Sequence, residues 1–195
     1  MKKVILASAS PRRSELLRQI GIDFEVIPSN IEENIEQGMS PESIVQDLAY
    51  DKALSVAKGL KGASIVIGAD TIVVKDGILG KPVNEEEAFA MLKSLQGGWH
   101  EVITGVALIS PLENRYLKGY EKTNVKMRSL NDREIMSYIK TGEPMDKAGA
   151  YGIQGMGALL VERIDGCYFN VVGLPLQKLS AMFEEFGIFA LNREN

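Results

Sequence analysis

Residues 63–74 read Ala63-Ser64-Ile65-Val66-Ile67-Gly68-Ala69-Asp70-Thr71-Ile72-Val73-Val74. Such a run of β-branched residues predicts a strand buried on both faces, which in turn calls for layers of helix above and below a sheet. Asp70 breaks the pattern. A carboxylate is costly in that setting unless a cation, a hydrogen-bond network or a metal compensates it. A carboxylate followed by the hydroxyl of Thr71 points to chemistry at a strand end. The plainer alternative is an Asp that caps the following turn.

The rest of the chain alternates strand and helix signals. Strands are expected at 4–7 and 24–27, with a helix at 11–19 between them. Ser40-Pro41 opens a long helix to about Lys58, Ser as N-cap and Pro in the first turn. Lys75-Asp76-Gly77 turns the chain after the Asp70 strand. Asn84-Glu85-Glu86-Glu87 and Asn131-Asp132-Arg133-Glu134 both resemble capping boxes, opening helices to about Leu95 and Lys140. Strands are expected near 102–109 and 116–127. Residues 142–157 form a glycine-rich loop. Segments 158–164 and 168–172 are expected to pair as a hairpin across Asp165-Gly166, before a last helix at 175–186. This predicts an α/β fold with a mixed twisted sheet and flanking helices, not a regular doubly wound one. With 195 residues, 45% of them hydrophobic, the chain can bury a substantial core, as one domain over 1–195 or as two closely packed lobes with a central cleft.

Composition narrows the chemistry. A net charge of −4 argues against non-specific nucleic-acid binding but leaves room for a local basic pocket. Cys167 stands alone, which rules out an intrachain disulfide and suits a reducing compartment. The apolar run after Lys2-Lys3 is short for a signal peptide, and no stretch is long enough to span a membrane, so a cytoplasmic location is expected. His100 is the single histidine. Histidine-based triads and zinc sites therefore have little to work with, and carboxylates, Lys and Arg carry any catalysis. His100, beside Trp99 on a strand, reads as structural.

Several segments suit a phosphorylated ligand. In Ser8-Ala9-Ser10-Pro11-Arg12-Arg13 a strand ends, small residues turn, and two arginines enter the first helical turn. Cations are unfavourable at the positive end of a helix dipole. A bound anion reverses that sign, with backbone N–H groups and guanidinium forks as its donors; a solvated surface pair is the alternative. On the helix after Pro41, the stripe Val45, Leu48, Lys52 and Val56 places Lys52 on an apolar face. It either snorkels at the core edge or reaches a pocket shared with Asp70 and a phosphate. Glu32-Glu33 and Gly80-Lys81-Pro82 are weak signals alone, readable as a solvated loop and an exposed turn. In Asp146-Lys147-Ala148-Gly149-Ala150-Tyr151-Gly152-Ile153-Gln154, glycines permit close approach of the backbone, and Tyr151 and Gln154 suit a nucleobase; an ordinary mobile loop is the alternative.

Together these segments resemble the Maf family of nucleotide pyrophosphatases, over nearly the whole chain. The most specific matches are Ser8-Ala9-Ser10-Pro11-Arg12-Arg13, Gly68-Ala69-Asp70-Thr71, Gly80-Lys81-Pro82 and Asp146-Lys147-Ala148-Gly149. The resemblance implies the mixed α/β fold shared with inosine-triphosphate pyrophosphatases. It implies hydrolysis of a nucleoside triphosphate to monophosphate and pyrophosphate, with Mg²⁺ or Mn²⁺, in a homodimer. Asp70 matches the catalytic carboxylate, and Arg13, Glu33, Lys52 and Lys81 match other active-site positions. Arg12, Thr71 and Gln154 are similar to the branch acting on dTTP and UTP, with modified pyrimidine nucleotides as further candidates. The expected roles follow. Glu33 and Asp70 hold the metal, and Asp70 orients or deprotonates water. Lys52, Lys81, Arg12 and Arg13 bind phosphates, Ser8 belongs to the substrate-binding turn, and Thr71 and Gln154 face the base. A nucleotide-sensing regulator of septum formation, binding without turnover, is the alternative; it would need the arginines and the glycine loop but not Asp70.

Overall fold

A computed structural model describes residues 2–31 and 38–191. Among them, strands β1 (Lys3–Leu6), β2 (Phe24–Val26), β3 (Ser64–Val74), β4 (Ile78–Leu79), β5 (Trp99–Ser110), β6 (Arg115–Met127) and β7 (Val161–Asp165) form one sheet. Its order is β2-β1-β3-β5-β6-β7, with β4 paired to β3 off that path. β1 runs parallel to β2 and β3, while β3–β4 and β6–β7 are antiparallel, so the sheet is mixed. The helices are α1 (Pro11–Gln19), α2 (Pro41–Ala57), α3 (Glu85–Leu95), α4 (Asp132–Ile139), α5 (Tyr168–Val172) and α6 (Leu176–Glu184). The expected α/β class and mixed sheet are what the chain adopts.

The chain folds as two compact units. One comprises Met1–Asp70, Thr104–Glu121 and Gly173–Asn195, the other Thr71–Ile103 and Lys122–Val172. In the first, α2 lies on the sheet. Ser40 caps it, its Oγ accepting from Ser43 N at 3.2 Å, and Pro41 occupies its first turn. The buried side chains here are small: Ala49, Ala53 and Ala57 pack with Ile5, Ala7, Val66 and Ala107. Two glycines bring helix and sheet still closer. A Cβ on Gly68 would stand 1.9 Å from Ala49 O, and one on Gly105 would stand 2.0 Å from Val45 O. Backbone on backbone at this distance leaves no room for any side chain.

In the second unit, α3 and α4 cover a core of Met91, Leu92, Leu95, Val125, Met127, Ile135 and Tyr151. Asn131 and Glu134 form the expected reciprocal capping box on α4. The box expected at Asn84 is only half formed. Asn84 Oδ1 accepts from Glu87 N, but Glu87 Oε2 accepts from Val83 N, one residue before the cap. The turn at Lys75-Asp76-Gly77 leads into β4, a short strand that the turn pattern had concealed.

The expected hairpin across Asp165-Gly166 does not form. β7 pairs with β6 instead, and the β-branched segment after Gly166 is the helix α5. Thr123 explains this. Its Oγ1 donates to Cys167 O at 3.1 Å and accepts from Cys167 N at 3.0 Å and from Asn170 Nδ2 at 2.9 Å. Asn170 Nδ2 also donates to Val102 O at 2.9 Å. A helical turn delivers that buried amide to both partners, and this overrides the local strand propensity.

Candidate active site

β3 alternates its side chains between two faces, so Gly68 and Asp70 point the same way. That face carries α2. Because Gly68 lets α2 sit against the strand, Lys52, one residue before Ala53, comes down onto Asp70. Lys52 Nζ lies 2.5 Å from Asp70 Oδ1. Asp70 is 7% exposed, and its side chain and that of Lys52 are 10% and 15% exposed. Of the two readings of Lys52, the structure supports the one that takes its ammonium to Asp70. The carboxylate is therefore compensated, and an ion pair this deep needs good geometry to offset the loss of hydration.

Asp70 lies just past the carboxyl end of the parallel strand β1, where Ala7 N still donates to Ile67 O. The β1–α1 turn starts at that same end, the usual place for a ligand in an α/β sheet. There the buried Ser8 hydroxyl accepts from Ser10 N at 3.2 Å and from Arg13 Nη1 at 3.1 Å. Arg13 Nε donates to Gly173 O at 2.8 Å. The guanidinium is thus held by a hydroxyl and a distant carbonyl and is not a loose surface group. Arg12 is half-buried on the same helical turn, and α1 has no acidic residue in that turn. The structure brings Ser8 to Arg13, and Lys52 to Asp70. Glu32 and Glu33 lie outside the described residues.

In the second unit, Thr71 and Gln154 are half-buried and Lys81 is exposed. Gly149 N donates to Gly80 O at 2.9 Å, which ties the Gly80-Lys81-Pro82 segment to the glycine-rich loop. That loop is built from short 3-10 turns at Glu143–Asp146, Ala148–Ala150 and Gly155–Leu159. Gly149 has φ 67, and a Cβ there would meet Val73 at 2.9 Å. These contacts tie the loop to Gly80 and to Val73. Tyr151 is buried, and its hydroxyl contacts His100 Nε2 at 2.6 Å. Burial pushes the Tyr151 hydroxyl well above its ordinary range. Burial, with Lys75 adding to it, lowers His100 to about 4. A neutral imidazole buried against Tyr151 fits the structural role read for it.

The donor chemistry suits a hard divalent cation, since Asp70 offers carboxylate oxygen. Among the described residues no group of three His, Cys, Asp or Glu could hold a metal. Lys52 Nζ occupies Asp70 Oδ1, and Glu33, the other expected ligand, lies outside the described residues. Gly68 and Gly105 were missed as site-building residues. Their signal was glycine within otherwise apolar strands, where close backbone approach is a standard reason for it.

A mixed α/β sheet thus carries a buried Asp–Lys pair and an arginine-bearing helix start at the same strand ends. The chain belongs to the Maf family: the family described as Maf-like protein matches residues 3–186. The dTTP/UTP pyrophosphatase of Acetivibrio thermocellus is 54% identical, over 99% of this chain and 100% of that protein. Those of Caldicellulosiruptor bescii and Clostridium perfringens are 55% and 51% identical, over 96% and 97% of this chain and 96% and 100% of those proteins. Among solved structures, the nucleoside-triphosphatase / dITP/XTP pyrophosphatase of Mycobacterium abscessus matches 95% of this chain and 96% of that chain, with TM-score 0.44 and 16% identity. That likeness is too loose to bear on the site.

Proposed function

We propose that this chain is a nucleoside triphosphate pyrophosphatase that converts dTTP and UTP to monophosphate and pyrophosphate. The observation that carries the reading is the buried Asp70–Lys52 pair at the strand ends where Arg13 is anchored. The names of the full-length relatives support the substrate class. Asp70 accepts a proton from water. The water oxygen attacks phosphorus, and the bond between the α and β phosphates breaks. The departing pyrophosphate takes the bridging oxygen. Lys52, Arg12, Arg13 and Lys81 offset the phosphate charge. Asp70 and Glu33 are the residues that would hold a divalent cation, Mg²⁺ or Mn²⁺, which when bound supplies further charge neutralisation. Thr71 and Gln154 select the base, because a carboxamide matches the donor–acceptor edge of uracil or thymine.

A septum regulator that binds nucleotide without turnover has no use for a carboxylate beside bound phosphates, so the enzyme is favoured. We further propose a cytoplasmic homodimer that acts on small nucleotides rather than nucleic acid. Among the described residues no helix is long and apolar enough to cross a membrane. Light scattering of the purified protein tests the dimer.

The decisive experiment is a panel of canonical and modified triphosphates in ¹⁸O-water, with and without chelator. Monophosphate plus pyrophosphate, a pyrimidine preference and loss of turnover on chelation are expected. Release of free phosphate, a preference for GTP, or undiminished turnover after exhaustive chelation each contradicts the corresponding part.

A further inference from the structure

Gln154 immediately precedes the 3-10 turn Gly155–Leu159, and its side chain makes no bond to that turn. Another residue takes the turn's free amides. Glu143 Oε1 accepts from Met156 N at 3.0 Å, and Oε2 accepts from Gly157 N at 3.3 Å. A carboxylate holding two successive amides is a charge-assisted, two-point clamp. It is a tight one. A Cβ on Gly155, which has φ +62, would stand 2.7 Å from Glu143 Oε1.

Glu143 is itself fixed. It opens the 3-10 turn Glu143–Asp146, its N–H donates to Thr141 Oγ1 at 3.1 Å, and its carbonyl accepts from Lys147 Nζ at 2.5 Å. On the other side of Gln154, Gly152 N donates to Tyr138 Oη at 3.4 Å. Burial raises the Tyr138 hydroxyl above its ordinary range, and the charge of Glu143 acts in the same direction. Gln154 is therefore bracketed by bonds at residues 152, 156 and 157. Between those points the chain is glycine-rich and has little stiffness of its own.

We propose that Glu143 is a positioning residue for base selection. By clamping the amides of Met156 and Gly157, it fixes the backbone from which Gln154 presents its carboxamide. This rests on the base-reading role proposed above for Gln154. A carboxamide carries a donor at one end and an acceptor at the other, so its direction decides which edge it matches. Losing that direction costs discrimination between bases more than it costs phosphate binding. Nothing in the segment Thr141-Gly142-Glu143-Pro144 marks Glu143 at the sequence level.

The test compares kcat/KM for UTP with kcat/KM for GTP in wild type, Glu143→Gln, Glu143→Ala, Gln154→Ala and the Glu143→Ala/Gln154→Ala double variant. Circular dichroism and thermal melting monitor folding, and Glu143→Gln carries the test where the alanine variant does not fold. Glu143→Ala is expected to lower the UTP/GTP ratio about tenfold, the scale of one charge-assisted hydrogen bond. Glu143→Gln, which keeps one acceptor oxygen, falls between. In the Gln154→Ala background, Glu143→Ala lowers the ratio no further, because its effect runs through the missing amide. An unchanged ratio in the Glu143 variants, with a lowered one in Gln154→Ala, overturns the proposal. So does an equal drop in both backgrounds. A Gln154→Ala ratio equal to wild type overturns the base reading itself, and this inference with it.

Discussion

Lys52 Nζ lies 2.5 Å from Asp70 Oδ1, with both side chains largely withdrawn from water. The two residues are joined through Gly68, which shares a strand face with Asp70 and allows α2 to settle on the sheet. The ion pair is thus a product of packing. A helix held off by a methyl group at Gly68 would move the Lys52 backbone away from Asp70.

Asp70→Asn is expected to lower kcat by roughly 10²–10⁴, the usual worth of a positioned general base. Lys52→Met removes the ammonium from a buried carboxylate and should cost about 3 kcal/mol. The double variant Asp70→Asn/Lys52→Met removes both charges. It should be more stable than Lys52→Met alone. Urea unfolding of the three proteins measures the order, and a double variant no more stable than Lys52→Met contradicts it.

Gly68→Ala is expected to destabilise the protein by about 1–3 kcal/mol, the cost of overpacking a filled core. Activity should fall further than stability alone explains, because a displaced α2 carries Lys52 away from Asp70. Turnover is measured well below the melting temperature. Normal stability and rate in the Gly68→Ala variant would show that the contact to Ala49 O relaxes freely.

Arg13 bonds two acceptors from separate nitrogens of its fork, Ser8 Oγ and Gly173 O. Lysine has one nitrogen and cannot reproduce that span. Arg13→Lys should therefore raise KM about tenfold or more for every triphosphate, as one lost charge-assisted bond does. Arg12→Ala should change the preference among bases as well. Equal losses on all substrates in both variants would contradict the division of roles.

His100 gives a pH signature in stability. Its value falls from 6.5 in the unfolded chain to about 4 in the fold, through burial first and Lys75 second. Below pH 6.5 the unfolded chain takes up a proton that the native state refuses, so stability drops as pH falls from 6.5 towards 4. Between roughly pH 7 and pH 5 this amounts to about 2 kcal/mol. His100→Gln should lack that component. Chemical denaturation at the two pH values measures the difference, and an equal slope in both proteins rules out His100 as its source.

Elements bounded by strong local chemistry were legible from the residues. Pro11 and Pro41 set helix starts through their fixed φ, and Ser40 and the Asn131/Glu134 box do so through side-chain bonds to the first amides. Asp70 was legible because a carboxylate in an apolar strand needs an explanation. Its pairing with Lys52 was one of two open readings, and only the seating of α2 decides it. Residues 168–172 were misread because the demand for helix comes from Thr123 and Val102, far away in sequence. β4 is too short to show a pattern of its own. Glu143 was invisible for a similar reason: its partners are main-chain amides, which carry no side-chain signature. Glu33 lies outside the described residues, so its expected place in the site rests on the family resemblance.

Arg13 is held by a carbonyl 160 residues further along the chain, and Lys2 by the carbonyl of Phe186. These are contacts of very long sequence separation, which carry a large loop-closure cost. During synthesis the first helix leaves the ribosome long before its anchor at Gly173 exists, and domains emerge N-terminal end first. A nascent chain therefore carries its arginines without the geometry that aims them. Until Gly173 has been made, Arg13 lacks one of its anchors, and the β1–α1 turn is completed only when the C-terminal part of the chain arrives.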